Sequence, residues 1–191
     1  MESKILSPAR SPFRQGRAFT LVELMVVLAI LGVLGTIGFN RMTRRNHYTA
    51  TVGLAREIYA LAGQARMAAI ASRKQAWLRL QPQNPAATLR MALVTGNGWL
   101  GPGQWGPVEA SVSSYQSTRV VGVDPGAMLN SAPPATPRPN AVDIIFYPDG
   151  RAQIAGNGTS GATIYIADAN MIYRQRVLLY GRTGFAKVVD R

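Results

Sequence analysis

The chain has 191 residues, of which 47% are hydrophobic, and carries a formal net charge of +12. This length suits one domain with an appendage and excludes a large multidomain enzyme, while the absence of cysteine excludes disulfide frameworks, thiolate zinc sites and cysteine nucleophiles. The positive charge favours anionic partners, either nucleic acid or a lipid surface, and solubility alone explains it equally well.

The first predicted element is an apolar segment at residues 19–39, which is long enough for a helix to span a bilayer. Thirteen of its 21 residues are Leu, Ile, Val or Phe, and Glu23 is its only charge. Each large apolar residue contributes about −0.3 to −0.6 kcal/mol to insertion, while the carboxylate costs roughly 3 kcal/mol, so insertion is favoured. Arginines flank the segment on both sides, so charge alone leaves its orientation open.

A short basic leader, residues 1–18, precedes this segment and ends at Ala18. No site for an ordinary signal peptidase follows Phe39, which argues against a secretory signal. The small residue, the sequence Phe-Thr-Leu-Val-Glu at 19–23 and the hydrophobic helix together resemble the type IV pilin and pseudopilin superfamily. Most members of that superfamily have Gly where this chain has Ala18.

The resemblance implies how the N-terminus is processed and used. A prepilin peptidase is expected to cleave between Ala18 and Phe19 on the cytoplasmic side and to methylate the new amine of Phe19. The resemblance also implies that Glu23 pairs with the amine of a neighbouring subunit and sets the axial register during assembly. The alternative is that Glu23 only reaches the lipid headgroups from its place near the processed end. The implied location is the inner membrane, crossed once, with the globular domain in the periplasm.

The helix is predicted to continue beyond the membrane over residues 40–72. From Thr49 to Ser72, apolar residues recur at spacings of three and four, which indicates a helix. One long helix is therefore expected over about residues 20–72.

A β-rich domain is predicted over residues 73–191, where the apolar period changes to two. The expected strands are Ala76–Leu80, 88–93, Val142–Tyr147, Arg151–Ala155, Thr163–Ala167, Met171–Tyr180 and Phe185–Val189. Pro148, Asp149 and Gly150 supply a turn, so residues 142–155 are expected to form a hairpin. The predicted fold class is α+β, with a long N-terminal helix packed on an antiparallel β-sandwich or sheet.

A loop insertion is predicted at residues 95–140, which hold seven glycines and seven prolines. One or two strands are expected near Val112 or within Arg119–Val123. The proline-rich run at 131–139 is consistent with a polyproline ligand or with a stiff spacer.

The order of helix and hairpins, the sequence Phe-Tyr-Pro-Asp-Gly-Arg at 146–151 and the Tyr-Gly-Arg turn at 180–182 resemble the GspH/FimT family of minor pilins and pseudopilins. The resemblance implies a subunit of a type IV pilus or a type II secretion pseudopilus that primes assembly or forms part of the tip complex. Its implied partners are the prepilin peptidase, other minor and major pilins or pseudopilins, and the inner membrane. Which of these machines contains the subunit is left open by the sequence.

An enzyme is not predicted. His47 is the only histidine, and Asp143, Asp149, Asp168 and Asp190 fall at strand edges and turns, where aspartate commonly bonds the backbone. The sequence therefore predicts no catalytic residue, no cofactor and no metal site.

The alternative function is a DNA-binding minor pilin that acts in natural transformation. Some FimT-like pilins use a C-terminal Gly-Arg-x-Arg element, and here the corresponding turn is Gly-Arg-Thr-Gly at 181–184. Lys187, with Arg174 and Arg176 on one strand face, would complete a basic patch around Arg182. A solvated strand face is the simpler interpretation of the same residues.

Overall fold

The computed structural model describes residues 20–96, 98, 100–114, 118–126, 134, 140–156 and 158–190, with the backbone alone at 36–45, 102 and 190. The predicted leader, Ala18 and Phe19 lie outside these residues. The chain divides into two compact units, Met1–Met42 and Thr43–Arg191.

The predicted long helix is present as α1, Leu21–Ser72. In its first part, the large apolar side chains that the structure describes are exposed, including Leu21 at 74% and Leu34 at 59%. Among the described residues, no helix is long and apolar enough to cross a membrane. The predicted span at 19–39 includes Phe19 and the side chains of 36–39, which lie outside the described set.

Two antiparallel sheets follow the helix and confirm the predicted α+β class. The strands in chain order are β1 Lys74–Leu80, β2 Ala87–Thr95, β3 Trp105–Val112, β4 Arg119–Pro125, β5 Val142–Phe146, β6 Ala152–Ile154, β7 Ala162–Ala167, β8 Arg174–Tyr180 and β9 Phe185–Asp190. The first sheet has the order β3-β2-β1-β5-β6, and the second has the order β4-β7-β8-β9. The predicted hairpin at 142–155 is the β5–β6 pair.

One hydrophobic core joins the second part of α1 to both sheets. The helix contributes a stripe with helical spacing, in which Leu54, Ile58 and Ala65 are fully buried. The same cluster contains Ile144 from the first sheet and Ile164 from the second. Burial of a Leu or Ile side chain contributes about 1.5–3 kcal/mol, so this half of α1 is part of the domain's stability.

Within the predicted loop insertion at 95–140 lie β3, which ends at Val112, then β4, and a short 3-10 helix, Pro102–Gln104. The strand expected within Arg119–Val123 is confirmed. Strands β3 and β4 contain prolines, at 107 and 125, and each of the two strands lies at the edge of its sheet. An edge strand tolerates proline, since one side of it needs no amide donor.

Strand β8 begins at Arg174 rather than at the predicted Met171. The Asp168 carboxylate accepts hydrogen bonds from the backbone N–H groups of Ile172 (2.8 Å) and Tyr173 (2.9 Å), and Met171 has a φ of 57°. These contacts form a turn in place of the first predicted strand residues.

Candidate assembly and binding surfaces

The start of α1 is closed by a reciprocal pair of side chains. The Thr20 backbone N–H and hydroxyl donate to the Glu23 carboxylate at 3.0 and 3.1 Å, and the Glu23 N–H donates to the Thr20 hydroxyl at 3.2 Å. This arrangement is a capping box, which satisfies free amides at a helix N-terminus. Glu23 therefore holds the first turn together and lies on an exposed surface, four positions after Phe19, the predicted first residue of the mature chain.

The two turns that carry the family resemblance meet at one helix residue, Arg66. Its Nε donates to the Thr183 carbonyl at 2.7 Å, and its guanidinium lies 5.4 Å from the centre of the Phe185 ring. Gly150 of the Pro-Asp-Gly turn lies nearby, because a Cβ placed on it would be 3.8 Å from the Arg66 guanidinium. Arg66 thus connects α1 to the turn at 181–184 and lies beside the Pro-Asp-Gly turn.

Close backbone contact between these turns requires glycine at position 184. Gly184 has a φ of 61°, and a Cβ there would overlap the Gly150 carbonyl oxygen and lie 3.1 Å from the Arg66 Cδ. Any larger residue at 184 therefore meets both an unfavourable backbone conformation and a backbone atom. Sequence reasoning assigned Arg66 no role, because its contacts come from residues more than 80 positions away.

The four cations predicted to bind nucleic acid are distributed along the β8–β9 hairpin. Arg174, Arg182 and Lys187 are exposed, whereas Arg176 is buried with 7% of its surface accessible. Lys187 lies opposite Leu178, and Val189 lies opposite Arg176, so strand register places Arg174, Arg176 and Lys187 on one face of the sheet. Arg174 begins β8 and Arg182 lies in the turn after its other end, so the strand length of about 20 Å separates them. The structure therefore offers three separated cations and no compact basic patch in this hairpin.

An aromatic and cationic cluster lies on the first sheet and was not predicted. The Trp77 and Trp105 ring centres are 5.2 Å apart, and the guanidinium carbons of Arg79 and Arg90 lie 4.8 and 5.6 Å from the centre of the Trp77 ring. Arg79 also donates to Asp143 through Nε (2.8 Å) and a terminal nitrogen (3.1 Å). That hydrogen-bonded pairing raises the pKa of Arg79 against the lowering effect of partial burial, so the guanidinium stays charged around neutral pH.

The cluster arises from register. Trp77 is opposite Arg90, and Arg79 is opposite Asp143. Cross-strand pairs of this kind stabilise a sheet by about 0.2–1 kcal/mol each. They cannot be recognised in the sequence until it is known which strands pair and in which register. Among the residues that the structure describes, no group of three or more His, Cys, Asp or Glu side chains is arranged to hold a metal ion.

Two family models match the chain. The model of the prokaryotic N-terminal methylation motif matches residues 14–39, and the model of the type II transport protein GspH matches residues 54–184. No curated protein and no solved structure matches it. The first matched segment covers the apolar N-terminus, and the second covers most of the β-rich unit, Thr43–Arg191.

Proposed function

The chain belongs to the GspH family of type II transport proteins, and we propose that it is a minor pseudopilin or minor pilin that primes filament assembly or forms part of the tip complex. The observation that carries the proposal is the succession, on one chain, of an N-terminal methylation motif and a GspH domain. Helix α1 begins in the first matched segment and enters the second. The role is structural, and the partners are other minor and major subunits of the same filament.

An anchor in the inner membrane accounts for the exposed apolar side chains at the start of α1. Leu21, Met25 and Leu31 each expose more than half of their surface. So many exposed large apolar side chains on one helix segment are stable only in an apolar environment. We propose that residues 19–39 cross the inner membrane once and that the β-rich unit lies in the periplasm. The machine is a type II secretion system or a type IV pilus.

The direct test of the function is deletion of the gene in its own host. Loss of a priming subunit is expected to reduce the number of filaments, or the amount of secreted protein, at an unchanged level of the major subunit. Complementation with the intact gene should restore both. Full assembly or secretion in the deletion strain would contradict the proposal.

Processing gives a second expected result, and the matched methylation motif, residues 14–39, includes the proposed cleavage point between Ala18 and Phe19. We expect the mature protein to begin with methylated Phe19. The leader carries four basic residues and one acidic residue, so its removal lowers the formal net charge by three, from +12 to +9. Intact mass spectrometry of protein from membranes measures both the new terminus and the methyl group.

The matched control for processing is a strain without the prepilin peptidase, in which the full leader should remain. An Ala18→Gly variant, with the residue usual in the superfamily, should be processed at least as completely as the parent. Mature protein that retains Met1 in the normal strain, or that lacks the whole apolar segment, would show that this terminus is wrong.

DNA binding is a second candidate function, favoured by the exposure of Arg174, Arg182 and Lys187 on one hairpin. If these three cations neutralise about three phosphates, log K should fall with log salt at a slope of roughly −3, without sequence preference. An Arg182→Ala/Lys187→Ala double variant should reduce the magnitude of that slope by about two. Titration of the full-length chain in nonionic detergent with duplex DNA measures the slope.

The control for this titration is Arg90→Ala, which removes a cation from the other sheet and should leave the slope unchanged. An equal reduction by Arg90→Ala would mean that binding follows net charge and involves no site on the hairpin. Absence of binding at low salt would leave only the structural role.

A further inference from the structure

A groove runs between α1 and strand β9 within the unit Thr43–Arg191. Two cavities of about 320 and 580 Å³ lie along it, and Tyr59 and Ala186 line both, so the groove is continuous. Strand β9 is the last strand of its sheet, and among the described strands it pairs with β8 alone. One wall of the groove is therefore the surface of α1, and the other is the edge strand of the second sheet, which has no further described strand paired to it.

The groove is lined by large apolar side chains and by small residues on its helix side. Tyr59, Met67 and Phe185 line it and are 42%, 60% and 59% exposed. On the helix side, Ala60 and Gly63 keep the groove wide, and a Cβ placed on Gly63 would have no heavy atom within 4 Å. Clustered exposed apolar side chains beside open space are typical of a protein interaction surface.

The charged residues that line the two cavities are all cations: Arg56, Arg66 and Lys187. Arg66 is engaged with the Thr183 carbonyl, whereas Arg56 and Lys187 are exposed on opposite walls. A carboxylate on a bound chain would meet a cation from either wall. This charge pattern selects an acidic occupant.

We propose that this groove binds an extended, acidic segment of another polypeptide, which adds to the edge of β9 as a further strand. Main-chain hydrogen bonds to β9 would supply affinity, and side chains of alternate residues would enter the apolar cavities or meet Arg56 and Lys187. The proposal rests on the proposed function only in taking the partner to be a neighbouring filament subunit. A nucleic acid fits less well, because its phosphates would use two exposed cations and leave the apolar walls and the strand edge uncovered.

The test uses a fluorescein-labelled ten-residue peptide of alternating Glu and Val, titrated with the full-length chain in nanodiscs of neutral lipid. Saturable binding is expected. Gly63→Leu fills the groove and should weaken binding at least tenfold. The fold should tolerate this change, because position 63 is open and Leu is a better helix former than Gly. The matched control is Gln64→Leu, which adds the same side chain one position away, on an exposed residue that does not line the groove, and should leave binding unchanged.

Charge and strand addition are tested separately. Lys187→Glu should weaken binding at least fivefold, whereas Arg90→Glu, on the other sheet, should not change it. A peptide with Pro in place of a central Val should bind at least tenfold more weakly, since Pro cannot donate to the β9 edge. A Lys–Val peptide of the same length should not bind.

Any of three results would overturn the proposal. The Gly63→Leu variant could bind the Glu–Val peptide as tightly as the parent, or the parent could bind the Lys–Val peptide equally well. In the third, duplex DNA would displace the peptide completely and would bind the parent and the Gly63→Leu variant with equal affinity. The last result would assign the surface to phosphate recognition. Peptide binding is measured on the purified chain and needs no filament. If the purified chain binds the peptide but deletion of the gene leaves assembly and secretion unchanged, the proposed function is contradicted and the peptide-binding groove is not.

Discussion

Replacement of Gly184 by alanine is expected to lower the free energy of unfolding of this protein by several kcal/mol, about 2–5 in all. The new Cβ would overlap the Gly150 carbonyl oxygen and press on the Arg66 Cδ, while the backbone stays at a φ of 61°. The positive φ costs about 1–2 kcal/mol, and the forced displacement of packed atoms costs a further 1–3 kcal/mol or so. For a chain of this size we expect the melting temperature to fall by roughly 10 °C, measured by circular dichroism.

Gly156 provides the matched control for this substitution. Its φ is 88°, and a Cβ placed there would have no heavy atom within 4 Å. Gly156→Ala should therefore show the backbone cost alone, with less than half of the loss seen for Gly184→Ala. Equal losses in the two variants would mean that the contact between the turns and Arg66 contributes nothing to stability.

Replacement of Glu23 by valine is expected to abolish assembly while the protein still enters the membrane. The change removes the insertion cost of the carboxylate, so the amount in the membrane fraction should not fall. It also removes the proposed partner of a neighbouring subunit's amine. We expect at least a tenfold fall in filament number or secreted protein, measured against an immunoblot of the membrane fraction.

Glu23→Gln separates the two roles of this side chain. Glutamine keeps the capping box with Thr20, because a Gln side chain can accept the same hydrogen bonds, but it carries no charge. If the negative charge of Glu23 sets the axial register between subunits, the Glu23→Gln variant should fail to assemble, as the Glu23→Val variant does. Normal assembly with Gln and failure with Val would reduce the role of Glu23 to capping, and normal assembly with both would remove it from assembly altogether.

Much of the fold could be predicted from the sequence, because its periods are clear where one face is buried. The spacing of three and four before Ser72 predicts α1, and the alternation at 88–93 predicts β2. Strand β3 was not predicted as Trp105–Val112, since Gly106 and Pro107 are ordinarily signs of a loop. They are tolerated because β3 lies at a sheet edge, and edge position depends on strand order.

The surfaces were harder to predict than the elements. Alternation correctly placed Arg174 and Arg176 on one strand face, but it gives no information on what covers that face, and Arg176 is buried. The contact of Arg66 with Thr183 joins positions 117 residues apart, and no local pattern indicates it. The groove beside β9 likewise depends on which strand ends the sheet.

The burial of α1 decides where the chain can be shortened to obtain a water-soluble fragment. Thr51, Leu54 and Ile58 are fully buried, and the Thr51 hydroxyl donates to the His47 carbonyl at 2.8 Å. A fragment that starts at β1 would lose this whole stripe and leave the two sheets with an uncovered apolar surface. A fragment that starts near Thr43 keeps every helix residue that the structure describes as buried and omits the exposed apolar turns. The cut therefore belongs inside α1, about eight residues before Thr51, the first of its described side chains that is buried.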